Sequence, residues 1–410
     1  MLKCGLSLLL AASALANLPQ SQSTLNDPSS NYGSLLTLSE SAQLLHLHRK
    51  LVEIESITGN EHNVAEWLAS YLRNNSFTVE LQEVSPKRHN VLAYGKKRDT
   101  TVLVTSHIDT VPPFWPYYHN ETTHAIGGRG SVDAKGSVAP QIMAVQSLRE
   151  KFFDDLSLLF VVGEETGGDG MRAFSAWEER PKSYEVVIFG EPTEGKLVCG
   201  HKGMLGFTIR IQGKAAHSGY PWLGVSANDV LLDALGALHH LRESGLPWSE
   251  KYGNTTMNFG RVQGGVAANV VAETAEARIA MRLAAGTPEL VRDLILDSLS
   301  GVKERSEKLG ATLEVQWGSE GYGPVDIDCD LEGFETITVN YGTDLPNLKV
   351  DQGVRRYLYG PGSIQVAHSD HEALTRRELE RAVLDYRRMI VEATRMDKYQ
   401  SRRQEERMGM

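Results

Sequence analysis

The sequence has little cysteine and no concentration of basic residues. It contains 3 cysteines among 410 residues, too few for a disulfide framework that would carry the fold. Its 42 Lys and Arg against 52 Asp and Glu give a formal net charge of −10, and no basic stripe interrupts this acidic background. Because an acidic surface repels a phosphate backbone, no nucleic-acid partner is expected.

Two common catalytic signatures are also missing. Neither Gly-x-Ser-x-Gly nor His-Glu-x-x-His occurs, which excludes the usual serine-hydrolase elbow and the single-zinc helix. One segment, Gly168–Ala173, matches the Gly-x-Gly-x-x-Ala pattern of a dinucleotide-binding turn. Glu164, Glu165 and Asp169 lie beside it and would repel a pyrophosphate, so a dinucleotide is not expected.

The first residues have the pattern of a signal peptide. Lys3 precedes an uncharged run over residues 4–15, and Ala14-Leu15-Ala16 offers a cleavage site. The run is too short to cross a bilayer, and a buried helix is the alternative interpretation. We therefore predict a signal peptide at residues 1–16, a flexible lead segment at 17–36, and a secreted, extracellular protein without a membrane anchor.

Other features agree with secretion. Three Asn-x-Ser/Thr sequons, at Asn74, Asn120 and Asn254, are candidate glycosylation sites. Removal of residues 1–16 leaves two cysteines, Cys199 and Cys329. Their spacing leaves open whether they pair with each other or remain buried as small apolar residues.

The rest of the chain has a globular α/β pattern. Hydrophobic residues make up 41% and charged residues 23%, which excludes a disordered or coiled-coil chain. Alternating strand and helix patterns predict a sandwiched sheet in a larger α/β domain formed by residues 37–202 and 318–410. Residues 203–317 instead follow a β-α-β-β-α-β order, including a predicted strand over Asn269–Arg282. This order predicts an inserted, ferredoxin-like α+β domain.

Polar side chains concentrate where predicted strands of the first domain end. His107 and Asp109 follow the strand Val102–Thr105, Glu164 and Glu165 follow Leu158–Val162, and Glu191 follows Val186–Phe189. Open α/β sheets place their functional sites at such strand ends. Imidazole and carboxylate groups are ligands that zinc prefers, so the order of these segments predicts a zinc site.

Together with Asp133 and His368, these segments resemble the di-zinc metallopeptidase family that includes carboxypeptidase G, acetylornithine deacetylase, succinyl-diaminopimelate desuccinylase and the aminoacylases. The resemblance runs from Ser56–Glu61 to beyond His368, and it is closest to secreted fungal carboxypeptidases. It implies a zinc-exopeptidase-like catalytic domain with an inserted lid and dimerisation domain. It also implies two Zn²⁺ per subunit, with Co²⁺ as a substitute, and a cis peptide bond between Asp133 and Ala134.

The resemblance assigns a role to each polar residue. One zinc would be held by His107, Asp133 and Glu191, and the other by Asp133, Glu165 and His368, with Asp133 as the bridge. Asp109 would orient His107, and Glu164 would be the general base. Charge supports this arrangement independently, because four adjacent carboxylates are unfavourable without cations. A water between two metal ions would be acidified and attack the amide carbonyl.

The inserted domain completes the resemblance. His217 matches a lid histidine that polarises the oxyanion in a partner subunit, which implies a homodimer through the inserted domains. Asn269 and Arg282 match substrate contacts, and an arginine suits a free carboxylate. Gly360 and Gly362 match a turn that lets backbone approach the substrate. Val271-Ala272 replaces the family's usual Ile-Pro, and His371 occupies a position that is usually acidic or an amide.

These features predict a secreted metallo-carboxypeptidase that hydrolyses an amide bond next to a free carboxylate of a small peptide. An alternative is an N-acyl-amino-acid deacylase, since Glu at position 191 is commoner in that branch of the family. A third hypothesis is a non-catalytic secreted protein that binds peptides through a retained metal site. The presence of Glu164, which such a binder would not need, favours an enzyme.

Overall fold

The computed structural model describes residues 34–149, 155–318 and 320–408. The predicted signal peptide and nearly all of the lead segment lie outside the described residues. The α-helices in the described part are α1 (Leu38–Glu53), α2 (His62–Asn74), α3 (Lys135–Leu148), α4 (Asp169–Ala176), α5 (Ala227–Ser244), α6 (Pro288–Leu309) and α7 (Arg376–Met408). None of these helices combines the length and apolar character needed to cross a membrane.

The strands of the described residues form five sheets. In chain order they are β1 (Thr78–Ser85), β2 (Arg88–Tyr94), β3 (Val102–His107), β4 (Tyr118–Asn120), β5 (Ala125–Gly127), β6 (Leu156–Val161), β7 (Val186–Gly190), β8 (Leu197–His201), β9 (Gly203–Gln212), β10 (Trp248–Ser249), β11 (Gly253–Asn254), β12 (Thr256–Gly264), β13 (Thr274–Leu283), β14 (Thr312–Trp317), β15 (Val325–Asp326), β16 (Thr336–Val339), β17 (Arg355–Tyr359) and β18 (Ala373–Thr375).

The larger domain is built on a six-stranded sheet of order β1-β2-β6-β3-β7-β17. Strands β6, β3, β7 and β17 run parallel to one another, whereas β2 runs antiparallel to both of its neighbours, β1 and β6. Every residue of β3, β6 and β7 is buried, as expected for parallel strands covered on both faces. Helices α1, α2, α3 and α7 pack on one face, and α4 packs on the other with β8 and its neighbours.

The inserted domain is a separate α+β unit. Its antiparallel sheet has the order β12-β13-β9-β14, and α5 and α6 cover one face. Alternate residues of β13 are buried, and the intervening residues are exposed or half-buried. The predicted fold class is confirmed: a sandwiched α/β domain carries a ferredoxin-like insertion. The two cysteines form a disulfide, Cys199–Cys329, whose 130-residue separation encloses the inserted domain.

Some predicted elements differ from the structure. The strand expected from Asn269 begins at Thr274, because Val270 pairs with His217 and the Val271 N–H donates to the Ala216 carbonyl. The segment before Thr274 therefore contacts the loop after β9. Strand β17 was not predicted from the sequence, although it lies at the end of the main sheet and leads directly into Gly360.

Candidate metal centre and active site

The parallel strands deliver their following residues to one edge of the main sheet. β3 ends at His107, β7 is followed by Glu191, and β17 is followed by Gly360. After β6, Gly163 adopts a φ of 77°, a left-handed conformation that glycine tolerates and that turns the chain into Glu164. The carboxyl ends of these strands therefore bring imidazole and carboxylate groups together.

Asp133 lies between two histidines. Its Oδ1 is 3.0 Å from His107 Nε2, and its Oδ2 is 3.3 Å from His368 Nε2. Glu191 Oε2 is 3.8 Å from His107 Nε2, and Glu165 Oε2 is 3.0 Å from His368 Nε2. Two groups of one histidine and two carboxylates therefore share the Asp133 side chain. The peptide bond between Asp133 and Ala134 is cis, which confirms that expectation.

The carboxylates carry excess negative charge for a buried site. Burial and neighbouring carboxylates raise the pKa of Glu191 to about 7, against the effect of His107. Burial and Asp133 likewise raise the pKa of Glu165, and its buried Oε1 has no hydrogen-bond partner. Donor atoms of His107, Asp133 and Glu165 lie within 4.8 Å of one another. The donor chemistry, the excess charge and the unpartnered oxygen all fit divalent cations.

The Asp109 carboxylate contacts the segment that carries Glu164 and the Thr58 hydroxyl. The Asp109 carboxylate accepts the Glu164 N–H at 3.1 Å, the Glu165 N–H at 3.3 Å and the Thr58 hydroxyl at 2.7 Å. His107 Nδ1 is 3.0 Å from the Asp109 carbonyl oxygen and 3.5 Å from its carboxylate. Asp109 therefore fixes the backbone of the two glutamates and contacts His107 mainly through its carbonyl. No residue pattern indicates the contact of Asp109 with the glutamate backbone.

Glu164 faces the same centre without making the contacts of a ligand. Burial and Glu191 raise the pKa of Glu164 well above its ordinary value. Its carboxylate has no ion pair among the described residues, and it lines a cavity of about 340 Å³. A half-buried carboxylate with a raised proton affinity can hold and transfer a proton.

The cavity lies between the two domains. Asp133, Glu165, Glu191 and His368 line it from the larger domain, and Arg282 reaches it from β13. In the part of the chain that is described, the half-buried Arg282 lines this cavity and its guanidinium has no ion pair or hydrogen bond. Further lining residues that the sequence did not single out are Arg172, Met204, Tyr322, Tyr341, Thr343 and Asn347.

His217 and Asn269 lie together, but they do not line this cavity. The two residues occupy neighbouring loops of the inserted domain, where the Ser218 N–H donates to the Asn269 carbonyl at 3.1 Å. His217 is exposed, and its Nδ1 accepts the Gly219 N–H at 3.0 Å. Within one chain, the structure therefore separates these two predicted site residues from Arg282 and the metal-ligand candidates.

The two glycines of the predicted turn allow close packing between segments of the protein. A side chain at Gly360 would lie 2.2 Å from the Glu191 carbonyl oxygen, and one at Gly362 would lie 2.7 Å from Val132. Gly362 also has a φ of 72°. The turn therefore packs against the residues next to two of the candidate ligands, Glu191 and Asp133.

The remaining candidate residues lie on the surface. Asn74, Asn120 and Asn254 are all exposed, as carriers of a glycan must be. The exposed His371 side chain pairs with Asp370 at 2.9 Å, whereas His368 faces Asp133. The position of His371 therefore separates it from the candidate ligands.

Comparisons with known proteins agree with this architecture. A family model described as the M20 peptidase dimerisation domain matches residues 199–303. A probable carboxypeptidase of Aspergillus flavus is 50% identical over 413 residues, which cover 93% of this chain and 96% of that protein. The M20 family metallo-carboxypeptidase of Sulfolobus solfataricus has a TM-score of 0.67 at 16% identity, covering 86% of this chain and 99% of that one. A Bacillus subtilis protein described as a dinuclear metal-binding peptidase of the M20 family has a TM-score of 0.59 at 16% identity, with the same coverage.

Proposed function

The chain belongs to the M20 metallopeptidase family and is similar to probable carboxypeptidases of fungi, and on this premise we propose that it is a secreted, di-zinc carboxypeptidase. It would hydrolyse the amide bond next to the free carboxylate of a small peptide. The observation that carries this proposal is the Asp133 carboxylate, whose two oxygens face His107 and His368 in a cavity that also holds Arg282.

Two zinc ions would occupy the two groups around Asp133. His107 and Glu191 would complete one set of ligands, and Glu165 and His368 would complete the other. When bound, the ions offset the negative charge of the carboxylates, polarise the amide carbonyl and increase the acidity of water. This assignment is supported by the unpartnered Glu165 Oε1 and by the raised pKa of Glu191.

Glu164 would transfer the proton. Its Oε atom accepts a proton from the attacking water and then donates it to the nitrogen of the departing amine. The backbone N–H groups of Glu164 and Glu165 are both held by Asp109, so the base keeps its position relative to the neighbouring ligand. Exclusion of bulk water from the cavity would strengthen each of these polar interactions.

Arg282 would bind the free carboxylate of the substrate. A guanidinium group donates two parallel hydrogen bonds to a carboxylate, and Arg282 has no other ion-pair partner among the described residues. Because Arg282 comes from the inserted domain, substrate binding would link the two domains. Asn269 would add a contact only after a movement or from a second subunit, since it does not line the cavity.

A homodimer through the inserted domains would complete the site. Strand β12 forms one edge of its sheet, most of its residues are exposed, and the neighbouring helix α5 exposes 68% of Leu232. The match to a peptidase dimerisation domain supports this arrangement. His217 of one subunit would then act on the oxyanion in the other subunit.

Secretion belongs to the same proposal. The signal-peptide pattern at residues 1–16 supports it, as does the disulfide Cys199–Cys329, since disulfides persist mainly in oxidising compartments. Mass spectrometry of the protein recovered from culture medium tests it. We expect an N-terminus at Asn17 and glycans on one or more of the three sequons. An intracellular protein that retains Met1 would contradict secretion without affecting the proposed chemistry.

The activity is tested with a substrate panel and a metal analysis. Purified protein should release the C-terminal residue from dipeptides, lose activity with a chelator and regain it with Zn²⁺ or Co²⁺. Two ions per chain are expected after reconstitution, and Asp133→Ala should lose both because both sites use that side chain.

Faster hydrolysis of N-acetyl amino acids than of dipeptides would favour the deacylase alternative, which the Glu at position 191 supports. One ion per chain would refute the two-metal site.

A further inference from the structure

A second buried carboxylate, Glu372, contacts the backbone that carries Asp133. Glu372 Oε1 accepts the Val132 N–H and the Asp133 N–H, each at 3.0 Å. Its backbone carbonyl also accepts the Gly128 N–H at 3.2 Å and the Ser131 hydroxyl at 3.1 Å. Glu372 therefore contacts both ends of the loop over residues 128–133, which carries Asp133.

The charge of Glu372 is balanced by Arg129. The Arg129 Nη1 donates to Glu372 Oε2 at 2.7 Å, and each residue is only 2% exposed. A buried charge without a partner is strongly unfavourable, so each residue requires the other. Arg129 Nε also donates to the Pro113 carbonyl at 3.2 Å, which anchors the pair to a third segment.

The ion pair of Arg129 and Glu372 also contacts the segment that carries His368. Arg129 Nη2 donates to the His368 carbonyl at 3.4 Å. His368 has a φ of 63°, a left-handed conformation that a residue with a side chain adopts only when its surroundings hold it. The loop that carries His368 and the loop that carries Asp133 are therefore joined through Arg129 and Glu372.

We propose that Glu372 is a positioning residue that, paired with Arg129, sets the Asp133 carboxylate and His368 relative to each other and so determines the affinity of both metal positions. This inference rests on the proposed metal sites. Glu372 itself does not face the cavity and is not a ligand. Its role parallels that of Asp109, which accepts two successive N–H groups of the Glu164 segment.

The test substitutes Glu372→Gln and uses Glu380→Gln as the matched control. Glu380 is also a buried carboxylate that accepts a backbone N–H, from Leu35 at 2.7 Å, and pairs with Arg376 at 2.7 Å. It joins the start of α1 to α7 and makes no contact with the candidate ligands. Both variants remove one buried negative charge that has an arginine partner, but only Glu372 contacts the metal-binding loops.

Three quantities are measured for each variant: the affinity for Zn²⁺ by competition with a chelator, the visible spectrum of the Co²⁺ form, and the denaturation midpoint of the metal-free protein. For Glu372→Gln we expect both metal affinities to fall about 10- to 100-fold and the Co²⁺ spectrum to change. For Glu380→Gln we expect a lower denaturation midpoint with unchanged affinities and spectrum. Arg129→Lys keeps the positive charge but loses the planar guanidinium group. We therefore expect a smaller effect, in which affinity falls only for the more weakly bound of the two Zn²⁺ ions.

Wild-type affinities and spectrum in Glu372→Gln would overturn the inference, as would an equal loss of affinity in Glu380→Gln. If Glu372→Gln does not fold, Arg129→Lys decides, and unchanged affinities there would refute the proposal. A wild-type protein that binds no metal would refute the proposed function itself. The two failures are therefore distinguishable.

Discussion

The Asp133 carboxylate lies at the centre of the candidate metal site. Its two oxygens face His107 and His368, while its N–H is held by Glu372. The pKa of Asp133 is held well below its ordinary range because hydrogen bonds from these histidines outweigh the effect of burial. Asp133 is therefore ionised at neutral pH and available to two cations at once.

Glu164→Gln should abolish most activity while the metal content is retained. The amide has nearly the shape of the carboxylate but cannot accept a proton, so we expect kcat to fall about 100- to 10,000-fold. The neighbouring Glu165→Gln is the comparison, because loss of a ligand should reduce metal content as well. Metal analysis and steady-state kinetics on both variants check this. Near-wild-type turnover in Glu164→Gln would assign the base to another residue.

Arg282→Met should weaken substrate binding more than it slows turnover. Loss of a charged hydrogen bond to the substrate carboxylate costs about 1.5 to 3 kcal/mol, so we expect KM to rise about 10- to 100-fold. Arg278 lies four residues earlier on the same face of β13, but it is exposed and paired with Glu276 at 2.9 Å. Arg278→Met should leave KM unchanged. An equal effect of both substitutions would contradict a specific role of Arg282.

At the residue scale, the sequence identifies the candidate ligands better than it identifies the residues that hold them in position. Imidazole and carboxylate groups after buried strands have a direct chemical interpretation, and the structure brings His107, Asp133, Glu165, Glu191 and His368 together. Glu372 and Arg129 act through backbone N–H and carbonyl groups, which no residue pattern specifies. Such contacts depend on how three distant segments pack, so a single sequence does not reveal them.

At the scale of elements, helix α1 presents two histidines to different surroundings. His48 is buried, and its Nε2 lies 2.8 Å from the Ser131 carbonyl oxygen, whereas His46 is exposed. Burial, with a contribution from the nearby Lys135, lowers the pKa of His48 to about 4. The folded state therefore keeps His48 neutral at a pH where the unfolded chain, with a histidine pKa near 6.5, is already protonated.

His48→Gln should make stability less sensitive to acid. Because the unfolded chain binds the proton more readily, His48 should lower the free energy of unfolding by about 3 kcal/mol as pH falls from about 6.5 to about 4. The glutamine amide can still donate to the Ser131 carbonyl but does not titrate. Denaturant unfolding of the metal-free protein at several pH values measures the effect. His46→Gln is the control, and an identical pH dependence in both variants would contradict the prediction.

Strand patterns predicted the buried centre of the sheet well and its periphery poorly. Strands β3, β6 and β7 are continuous apolar runs, so their composition identifies them. Strand β17 begins with Arg355 and Arg356, which conceal a strand whose last three residues are buried. Val270 and Val271 favour a strand, which explains the prediction that a strand begins at Asn269. In the structure these two valines instead pair with residues 216 and 217, in the loop after β9.

At the scale of the molecule, the candidate active site depends on two domains. All metal-ligand candidates come from the larger domain, and the inserted domain contributes Arg282 and Met204 to the cavity. The disulfide Cys199–Cys329 joins the chain just before and after the insertion. It therefore restrains the base of the inserted domain, while His217 at the opposite end of β9 is separated from the cavity of its own chain.

His217 should act across a dimer, which mixed subunits can test. In a hybrid of a His217→Ala chain and a Glu164→Gln chain, one of the two sites receives an intact Glu164 from its own chain and an intact His217 from the partner. The other site lacks both. Two inactive proteins should therefore regain about one quarter of wild-type activity after random exchange, since half of the dimers are hybrids with one working site. Exchange is verified with differently tagged chains. No recovery despite exchange, or full activity in a strictly monomeric preparation, would show that His217 does not act in trans.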